Sequence, residues 1–272
     1  MPFLCKFCKF TYSFIKIHVI LYQKEEVFMK EQHILEGNIS IKAALLSGNR
    51  KVHKIIVDKK KNDKDTNFIL KEAKKRNIEI IYKDRASIDA LSSGKTHGGF
   101  IAYCGDRKFQ TLEQLLCVKN CFLAFIEGIE DPFNFGYILR TLYAAGCTGV
   151  IIPPRNWTTA ASVVAKASAG ASEYIPMFIA DDISYVINEL KQHKISLLCG
   201  HRENAIALYD FVFPNKFCIA IGGEMRGLSK QIMQQSDQNI FIPYNQEFRN
   251  ALNAASATAV FAFEAARQRY QK

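Results

Sequence analysis

Hydrophobic and polar positions alternate along this 272-residue chain in blocks that predict strands and helices in turn. Between residues 33 and 104, the apolar runs KVHKIIVD, IEIIYK and GGFIAYCG predict strands, and GNISIKAALLSG predicts a helix that is closed by Gly48. The stretch DTNFILKEAKKRN has apolar residues at helical spacing, with Asp65 as its expected N-cap. We therefore expect residues 29–105 to form a small α/β domain.

From Cys121 onward the alternation becomes more regular. Six nearly continuous apolar runs, separated by helical patterns, predict strands: CFLAFIEG, GVIIPP, YIPMFIA, ISLLCG, FCIAIGG and IFIPY. Strands of this kind are typical of a parallel sheet that is covered by helices on both faces. We expect residues 106–119 to be a linker and residues 120–272 to be a second domain, with ligands near the carboxyl ends of its strands.

The positive charge of the chain is concentrated in its first part. Residues 1–104 contain 20 Lys and Arg against 11 Asp and Glu, so they account for +9 of the total net charge of +10. A basic excess of this kind indicates a polyanionic partner, most simply a nucleic acid. A lysine-rich surface that is merely solvated is the alternative.

The cysteines and the N-terminal segment favour a soluble protein of a reducing, cytoplasmic compartment. Of the eight cysteines, Cys5 and Cys8 form an isolated CxxC pair without further zinc ligands nearby, and several others lie in apolar runs as small buried side chains. The apolar stretch FTYSFIKIHVILY is interrupted by Lys16 and His18 and is shorter than the roughly 20 residues that a membrane span needs. We expect translation to start at Met29, which would make residues 1–28 a misassigned extension.

Several common nucleotide-site and hydrolase motifs are absent. No GxGxxG follows a predicted strand, and the chain has neither a GxxxxGK[ST] phosphate loop nor a GxSxG nucleophile elbow. These absences disfavour a dinucleotide-binding Rossmann domain, a P-loop enzyme and an α/β-hydrolase.

The most informative polar residues follow two of the predicted strands. In EDPFNFGYILRTLYAAG, Asn134 is the expected N-cap of a helix, but Arg140 lies six residues further in an apolar helical run, where a cap cannot explain it. In IAIGGEMRGLSKQ, Gly222 and Gly223 form a turn that exposes backbone groups to a ligand. The Ala-rich stretch RNALNAASATAVFAFEAARQR predicts a terminal helix that packs closely on another backbone or on a partner subunit.

Together these stretches resemble the SpoU/TrmH-type RNA 2′-O-ribose methyltransferases of the SPOUT superfamily. The first two motifs of that family, N-x-G-x-x-x-R-T and G-x-E-x-x-G, are matched by Asn134, Gly136, Arg140 and Thr141, and by Gly222, Glu224 and Gly227. The third motif is matched in part, by Ile242–Pro243 and Leu252–Asn253. Residues 33–104 resemble the small substrate-binding domain that precedes many of these enzymes.

The resemblance implies a parallel-sheet SPOUT domain with a C-terminal trefoil knot, preceded by a small α/β RNA-binding domain. It also implies a homodimer that transfers a methyl group from S-adenosylmethionine to a ribose 2′-hydroxyl of RNA and needs no metal. Arg140 would activate the hydroxyl, either as a base or by stabilising the developing oxyanion. Asn134 and Glu224 would orient Arg140 or the ribose, and Asn253 would support the cofactor loop. The implied cofactor-binding residues are Gly200, Gly222, Gly227, Ile242 and Leu252.

The chain also departs from the family pattern. Phe133 stands where the family often has glycine, Ala251 replaces a serine of the third motif, and the loop YNQEFRNALN is one residue longer and lacks a glycine. The basic N-terminal domain favours a large structured RNA such as rRNA over tRNA. Two other functions stay open at this point: an RNA-binding protein that has lost catalysis, and a small-molecule or nucleotide-binding α/β enzyme.

Overall fold

The computed structural model describes residues 33–92, 96–154 and 160–270, which form two α/β domains with one sheet each. The predicted start at Met29 and the extension 1–28, including Cys5 and Cys8, lie outside the described residues.

The first domain is built on a four-stranded sheet with the strand order β1-β4-β2-β3. Its strands are β1 (His33–Glu36), β2 (Arg50–Asp58), β3 (Glu79–Lys83) and β4 (Phe100–Arg107), and its helices are α1 (Asn38–Ser47), α2 (Lys64–Lys75) and α3 (Arg85–Asp89). Strand β2 pairs in parallel with β3 and antiparallel with β4. The predicted strands and helices of this region are confirmed, whereas β1 was not anticipated.

The ends of two helices in this domain show which local signals are reliable. Helix α1 is followed by Gly48 in the left-handed conformation (φ 67°), as predicted. The prediction that Asp65 caps α2 is wrong, because the cap is Asp63, whose side chain accepts a hydrogen bond of 2.8 Å from the Thr66 N–H. Asp65 lies in the first turn and binds Lys42 instead, at 2.9 Å.

The second domain contains a seven-stranded sheet with the order β7-β6-β5-β10-β8-β11-β9, in which every pair of neighbouring strands is parallel. Its strands are β5 (Phe122–Glu127), β6 (Gly149–Ile152), β7 (Met177–Ile179), β8 (Ser196–Gly200), β9 (Ala205–Ala207), β10 (Phe217–Gly222) and β11 (Gln238–Phe241). The six predicted strands and their parallel arrangement are confirmed. Strand β9 was missed because its three residues show no buried periodicity. The trefoil knot stays a prediction that agrees with this fold.

Helices cover both faces of the large sheet, as the apolar runs predicted. They are α4 (Leu112–Leu116), α5 (Pro132–Ala144), α6 (Ala161–Ala167), α7 (Ala171–Tyr174), α8 (Ile183–Gln192), α9 (Lys230–Gln234) and α10 (Ala254–Tyr270). Successive residues of β5 point to opposite faces, so Phe122 packs in the cluster beneath α5 and α10, and Leu123 packs beneath α4, α8 and α9. Phe122 is fully buried and stacks on Phe217 at 4.8 Å between ring centroids. Burying one such side chain contributes about 1.5–3 kcal/mol.

The stretch 106–119 has more structure than an extended linker. Strand β4 continues to Arg107, and the leucines of α4 are buried against the large sheet. The N-terminus of α4 is fixed by a capping box between Thr111 and Gln114. None of the helices in the described ranges is long and apolar enough to cross a membrane.

The two domains meet in an interface that contains a buried ion pair. The Arg50 Nε donates to Glu173 Oε2 at 3.1 Å, and both side chains are almost inaccessible to solvent. Lys166 of α6 binds the fully buried Glu36 of β1 in the same interface. Burial lowers the pKa of Arg107 to about 10, so its guanidinium still carries a charge when it donates to the Ser172 carbonyl at 2.8 Å.

Most cysteines within the described residues are buried free thiols, as the apolar runs predicted. Cys104, Cys121, Cys147, Cys199 and Cys218 are buried, whereas Cys117 is exposed. Burial raises the pKa of Cys147 to about 12, which keeps this thiol protonated and unreactive at neutral pH.

Candidate functional site

The loops that follow β8, β10 and β11 surround a cavity of about 340 Å³ at the carboxyl edge of the large sheet. This is the edge at which parallel α/β sheets bind their ligands. Its walls include all five residues that the sequence proposed for the cofactor: Gly200, Gly222, Gly227, Ile242 and Leu252. The structure therefore brings three segments, which are separated by up to 52 residues in the chain, to one place.

The turn after β10 leaves no room for side chains at its two glycines. A Cβ on Gly222 would lie 2.3 Å from the carbonyl carbon of Gly227, and one on Gly223 would lie 2.0 Å from the Gly128 oxygen. Gly227 has a φ of 64°, in the left-handed region that favours glycine. Because backbone packs directly on backbone here, this turn presents main-chain atoms to the cavity.

The loop after β11 closes the cavity from the other side. The Leu252 N–H donates to the Tyr244 hydroxyl oxygen at 3.0 Å, which ties the end of the loop to its beginning. A Cβ on Gly200 would lie only 3.2 Å from the ring of Phe261 on α10. Glycine at position 200 therefore leaves room for this ring. The resulting cavity has a main-chain rim and an apolar floor.

Glu224 and Asn253, two of the predicted catalytic residues, meet at the start of α10. The Glu224 Oε1 accepts a hydrogen bond of 3.4 Å from the Ala254 N–H. The Asn253 side-chain oxygen accepts one of 2.7 Å from the Ser256 N–H, so it caps α10. Asn253 thus has a structural role in addition to its predicted support of the cofactor loop.

Helix α5 carries the other two predicted catalytic residues. The prediction that Asn134 caps this helix is wrong, because α5 begins at Pro132 and the cap is Asp131. The Asp131 carboxylate accepts from the N–H groups of Phe133 at 3.3 Å and of Asn134 at 2.9 Å. Proline suits the first helical position because its missing N–H would have no partner there. The Asn134 side chain is therefore not used by the helix.

Arg140 lies on the exposed side of α5, while its neighbours Ile138 and Leu139 are fully buried. Within the described residues of one chain it forms no hydrogen bond or ion pair, and it is therefore bonded to neither Asn134 nor Glu224. Its guanidinium is consequently available to an anion from outside the chain. Helix α5 packs against α10, the helix whose start is held by Glu224 and Asn253.

The arrangement provides a cavity for a small ligand and, on α5, a cation unpaired among the described residues for an anionic one. Within the described parts of the chain, no group of three or more His, Cys, Asp or Glu side chains is placed to hold a metal ion. Three polar or charged side chains that the motifs did not assign to the site also line the cavity, those of His201, Arg202 and Tyr244. Their only sequence signal was a position just after β8 or β11.

Two family models match the chain. The model of the SpoU rRNA Methylase family matches residues 122–263, more than half of the chain, and the model described as RNA 2′-O ribose methyltransferase substrate binding matches residues 34–110. The first range contains the cavity and α5, and the second contains the small sheet.

Curated relatives match almost the whole chain. A protein of Staphylococcus haemolyticus that is assigned to the TrmH family of tRNA/rRNA methyltransferases is 29% identical over 246 residues, which are 89% of this chain and 98% of that protein. A Staphylococcus epidermidis protein with the same assignment is also 29% identical over 246 residues, with the same coverage.

Solved structures share the fold over both domains. A crystal structure of an RNA 2′-O ribose methyltransferase aligns with a TM-score of 0.74 and 22% identity, covering 88% of this chain and 90% of that one. The SpoU methyltransferase AviRb from Streptomyces viridochromogenes, in complex with its cofactor AdoMet, aligns with a TM-score of 0.75 and 20% identity, covering 90% and 93%.

Proposed function

The chain belongs to the SpoU rRNA methylase family, and we propose that it transfers a methyl group from S-adenosylmethionine to a ribose 2′-hydroxyl of a structured RNA. The observation that carries the proposal is the convergence of Gly200, Gly222, Gly227, Ile242 and Leu252 on one cavity at the ligand-binding edge of the sheet. The substrate-binding domain over residues 34–110 supports RNA as the acceptor.

The cavity walls suit S-adenosylmethionine, which supplies a methyl group on a positively charged sulfur. Glycine at positions 222 and 227 lets a planar ring approach the main chain closely, and Ile242 with Phe261 provides apolar contact. The Leu252 N–H is already bound by Tyr244, so its carbonyl is the group left for the cofactor. AviRb, which has this fold, was crystallised with AdoMet.

Arg140 is the residue that we expect to act on the ribose. A 2′-hydroxyl is a weak acid, so its oxygen gains negative charge as its proton passes to water or to an RNA phosphate and it attacks the methyl group. A guanidinium is a permanent cation in proteins and has no acceptor atom, which favours stabilisation of that charge over direct proton abstraction. Because Arg140 is exposed and unpaired within the described residues, it needs no rearrangement of protein contacts to do so.

Replacing Arg140 tests this mechanism. We expect Arg140→Ala to lower the rate of methyl transfer from labelled cofactor to RNA by about 10²–10³-fold, the usual loss when one oxyanion-stabilising donor is removed. Calorimetry should show the same S-adenosylmethionine affinity within about twofold, because Arg140 does not line the cavity. Arg140→Lys, which keeps the charge but loses the planar fork, should retain part of the rate. Unchanged turnover of Arg140→Ala would remove it from the mechanism.

The RNA substrate is proposed to be rRNA rather than tRNA. The support is the basic excess of the N-terminal part, which suits a large structured RNA. Mapping of ribose methylation in rRNA and tRNA from a deletion strain and its parent should reveal one missing 2′-O-methyl group in rRNA. A missing group in tRNA would assign the tRNA class instead.

An RNA-binding protein without catalysis is the second candidate, and Ala251 in the third motif is the observation that favours it. The two candidates differ in their affinity for S-adenosylmethionine. Micromolar binding in calorimetry supports the methyltransferase, whereas RNA binding without cofactor binding supports the second candidate.

We also propose that the protein is a homodimer. Three aromatic side chains on the packed helices α5 and α10 are exposed to about half: Phe133 at 52%, Tyr137 at 48% and Phe263 at 52%. Phe133 and Tyr137 are four residues apart and therefore share one face of α5, and clustered exposed aromatic groups favour an interaction surface. Analytical ultracentrifugation should show a dimer for the wild type and a shift towards the monomer for Tyr137→Asp; a monomeric wild type would contradict the proposal.

A further inference from the structure

A second, more open cavity of about 590 Å³ adjoins the cofactor cavity. The two cavities share four residues as a common wall, Arg202, Phe241, Ile242 and Tyr244. The second cavity extends over the loop after β11, and we call it the outer cradle. Its further walls are Gln246, Glu247, Phe248 and Arg249.

The outer cradle combines aromatic rings with arginines. The Arg202 guanidinium lies over the Tyr244 ring, 4.6 Å from its centroid, and the centroids of Tyr244 and Phe248 are 6.2 Å apart. The Phe248 side chain, which lines the cradle, is 52% exposed to solvent. Arg249 is also exposed and forms no hydrogen bond or ion pair with the described residues. The loop therefore presents side chains that the fold itself does not use.

We propose that the outer cradle holds an unpaired nucleotide of the RNA substrate beside the methyl-transfer site. Its base stacks on Phe248 and Tyr244, and its phosphate binds Arg249 and Arg202. This inference rests on the proposed function and extends it, because it assigns substrate positioning to the loop in which the chain departs most from the family pattern. It also predicts that the modified region of the RNA is single-stranded.

The chemistry of the cradle favours RNA over other occupants. Every base offers a face for aromatic stacking, and arginine binds phosphate with a planar fork, so this pair of residue types suits single-stranded RNA. The two arginines outnumber the single acidic wall residue, Glu247, which suits a polyanion. The Tyr244 hydroxyl accepts from Leu252 at 3.0 Å in the wall of the cofactor cavity. A nucleotide in the cradle is therefore next to the cofactor rather than at a remote docking surface.

Two substitutions test the cradle without touching the cofactor wall. We expect Phe248→Ala and Arg249→Ala each to raise the KM for RNA about tenfold and to leave kcat within about twofold, because stacking contributes to binding and Arg140 remains in place. Matched controls are Tyr270→Ala and Lys119→Ala, which remove an exposed ring and an exposed charge where β5 begins, at the opposite edge of the sheet. Their KM for RNA should not change.

Two further measurements test the other possible occupants of the cradle, the cofactor and a second copy of the chain. If Phe248→Ala weakens S-adenosylmethionine binding in calorimetry, the cradle belongs to the cofactor, and if it changes the oligomeric state in ultracentrifugation, the cradle belongs to a second copy of the chain. Either result overturns the proposal. So does an unchanged KM for RNA in both cradle variants.

A photocross-link separates the failure of this inference from the failure of the proposed function. A benzophenone side chain at position 248 should cross-link to RNA from a deletion strain, whereas the same group at position 270 should not. The cross-link reports contact without requiring turnover. A cross-link to RNA without methyl transfer would support the cradle as an RNA-binding site and refute the methyltransferase activity. Methyl transfer without a cross-link would refute only the RNA-binding role of the cradle.

Discussion

The interface between the two domains and the carboxyl edge of the large sheet use the same charged residue types in opposite ways. At the interface, Glu173 is almost completely buried and is bound by Arg50 at 3.1 Å. At the carboxyl edge, Arg249 is exposed and has no hydrogen-bond or ion-pair partner among the described residues, and the same is true of Arg140 further along α5. Charged side chains therefore complete the structure in one region and are left available in the other.

Burial explains this difference. A charge that is removed from water costs several kcal/mol unless a partner compensates it, so a buried charge must be paired within the fold. An exposed charge carries no such cost and can remain unpaired until a ligand binds. Residue type alone therefore does not assign a role. Arg50 counts towards the basic excess of the N-terminal part, yet Glu173 neutralises it and RNA cannot use it.

Breaking the interface pair should have the largest effect on stability. Glu173→Ala leaves the Arg50 charge buried without its carboxylate, which typically costs about 3–5 kcal/mol. Urea denaturation followed by circular dichroism should show this loss in the free energy of unfolding. The matched control is Glu79→Ala, which removes a 60% exposed carboxylate 3.9 Å from Lys54 and should cost less than about 1 kcal/mol.

A double substitution makes the interface prediction sharper. Replacing both Arg50 and Glu173 with methionine removes the two charges together, and we expect it to recover most of the stability that Glu173→Ala loses. Equal destabilisation by Glu173→Ala and Glu79→Ala would contradict the structural role of the buried pair.

The glycine turn of the carboxyl edge should give a smaller loss of stability and a specific loss of cofactor binding. The Cβ of Gly223→Ala would lie 2.0 Å from the Gly128 oxygen, so the backbone must shift, at a cost of about 1–3 kcal/mol. Because this turn forms a wall of the cavity, calorimetry should show S-adenosylmethionine binding weakened by at least tenfold.

Gly105→Ala is the control for that substitution. Its Cβ meets the flexible His53 ring at 3.2 Å, in the small domain, so we expect normal cofactor affinity. Normal cofactor affinity in Gly223→Ala would show that the cavity is not the cofactor site.

The sequence predicted the features that depend on local pattern. Continuous apolar runs identified six strands of the large sheet, and Gly48 identified the end of α1. The motif residues Gly222, Gly227 and Leu252 were assigned to one site through the family resemblance, and they line one cavity. Periodicity and short motifs carry this information because each involves neighbours in the chain.

Features that depend on distant contacts were not predictable. Arg50 and Glu173 are 123 residues apart, and neither has a neighbour that signals the pair. The outer cradle was missed because Arg202 and Tyr244 meet only when β8 and β11 lie side by side. The helix caps were misassigned for another reason: Asp63 and Asp65, like Asp131 and Asn134, are competent capping residues within one turn of each other, and residue type does not choose between them.

Asp131, like Glu224, is exposed at the carboxyl edge and yet bonds to the backbone of the fold. We expect Asp131→Ala to destabilise the protein by about 1 kcal/mol, because two N–H groups of α5 lose their acceptor. Asp131→Asn keeps an acceptor and should cost less. Asn134→Ala should change the free energy of unfolding by less than about 0.5 kcal/mol, since the Asn134 side chain binds nothing among the described residues, but it should slow methyl transfer. Equilibrium unfolding and turnover measured on the same three variants check both parts. A larger loss of stability in Asn134→Ala than in Asp131→Ala would mean that the two neighbours had been assigned the wrong way round.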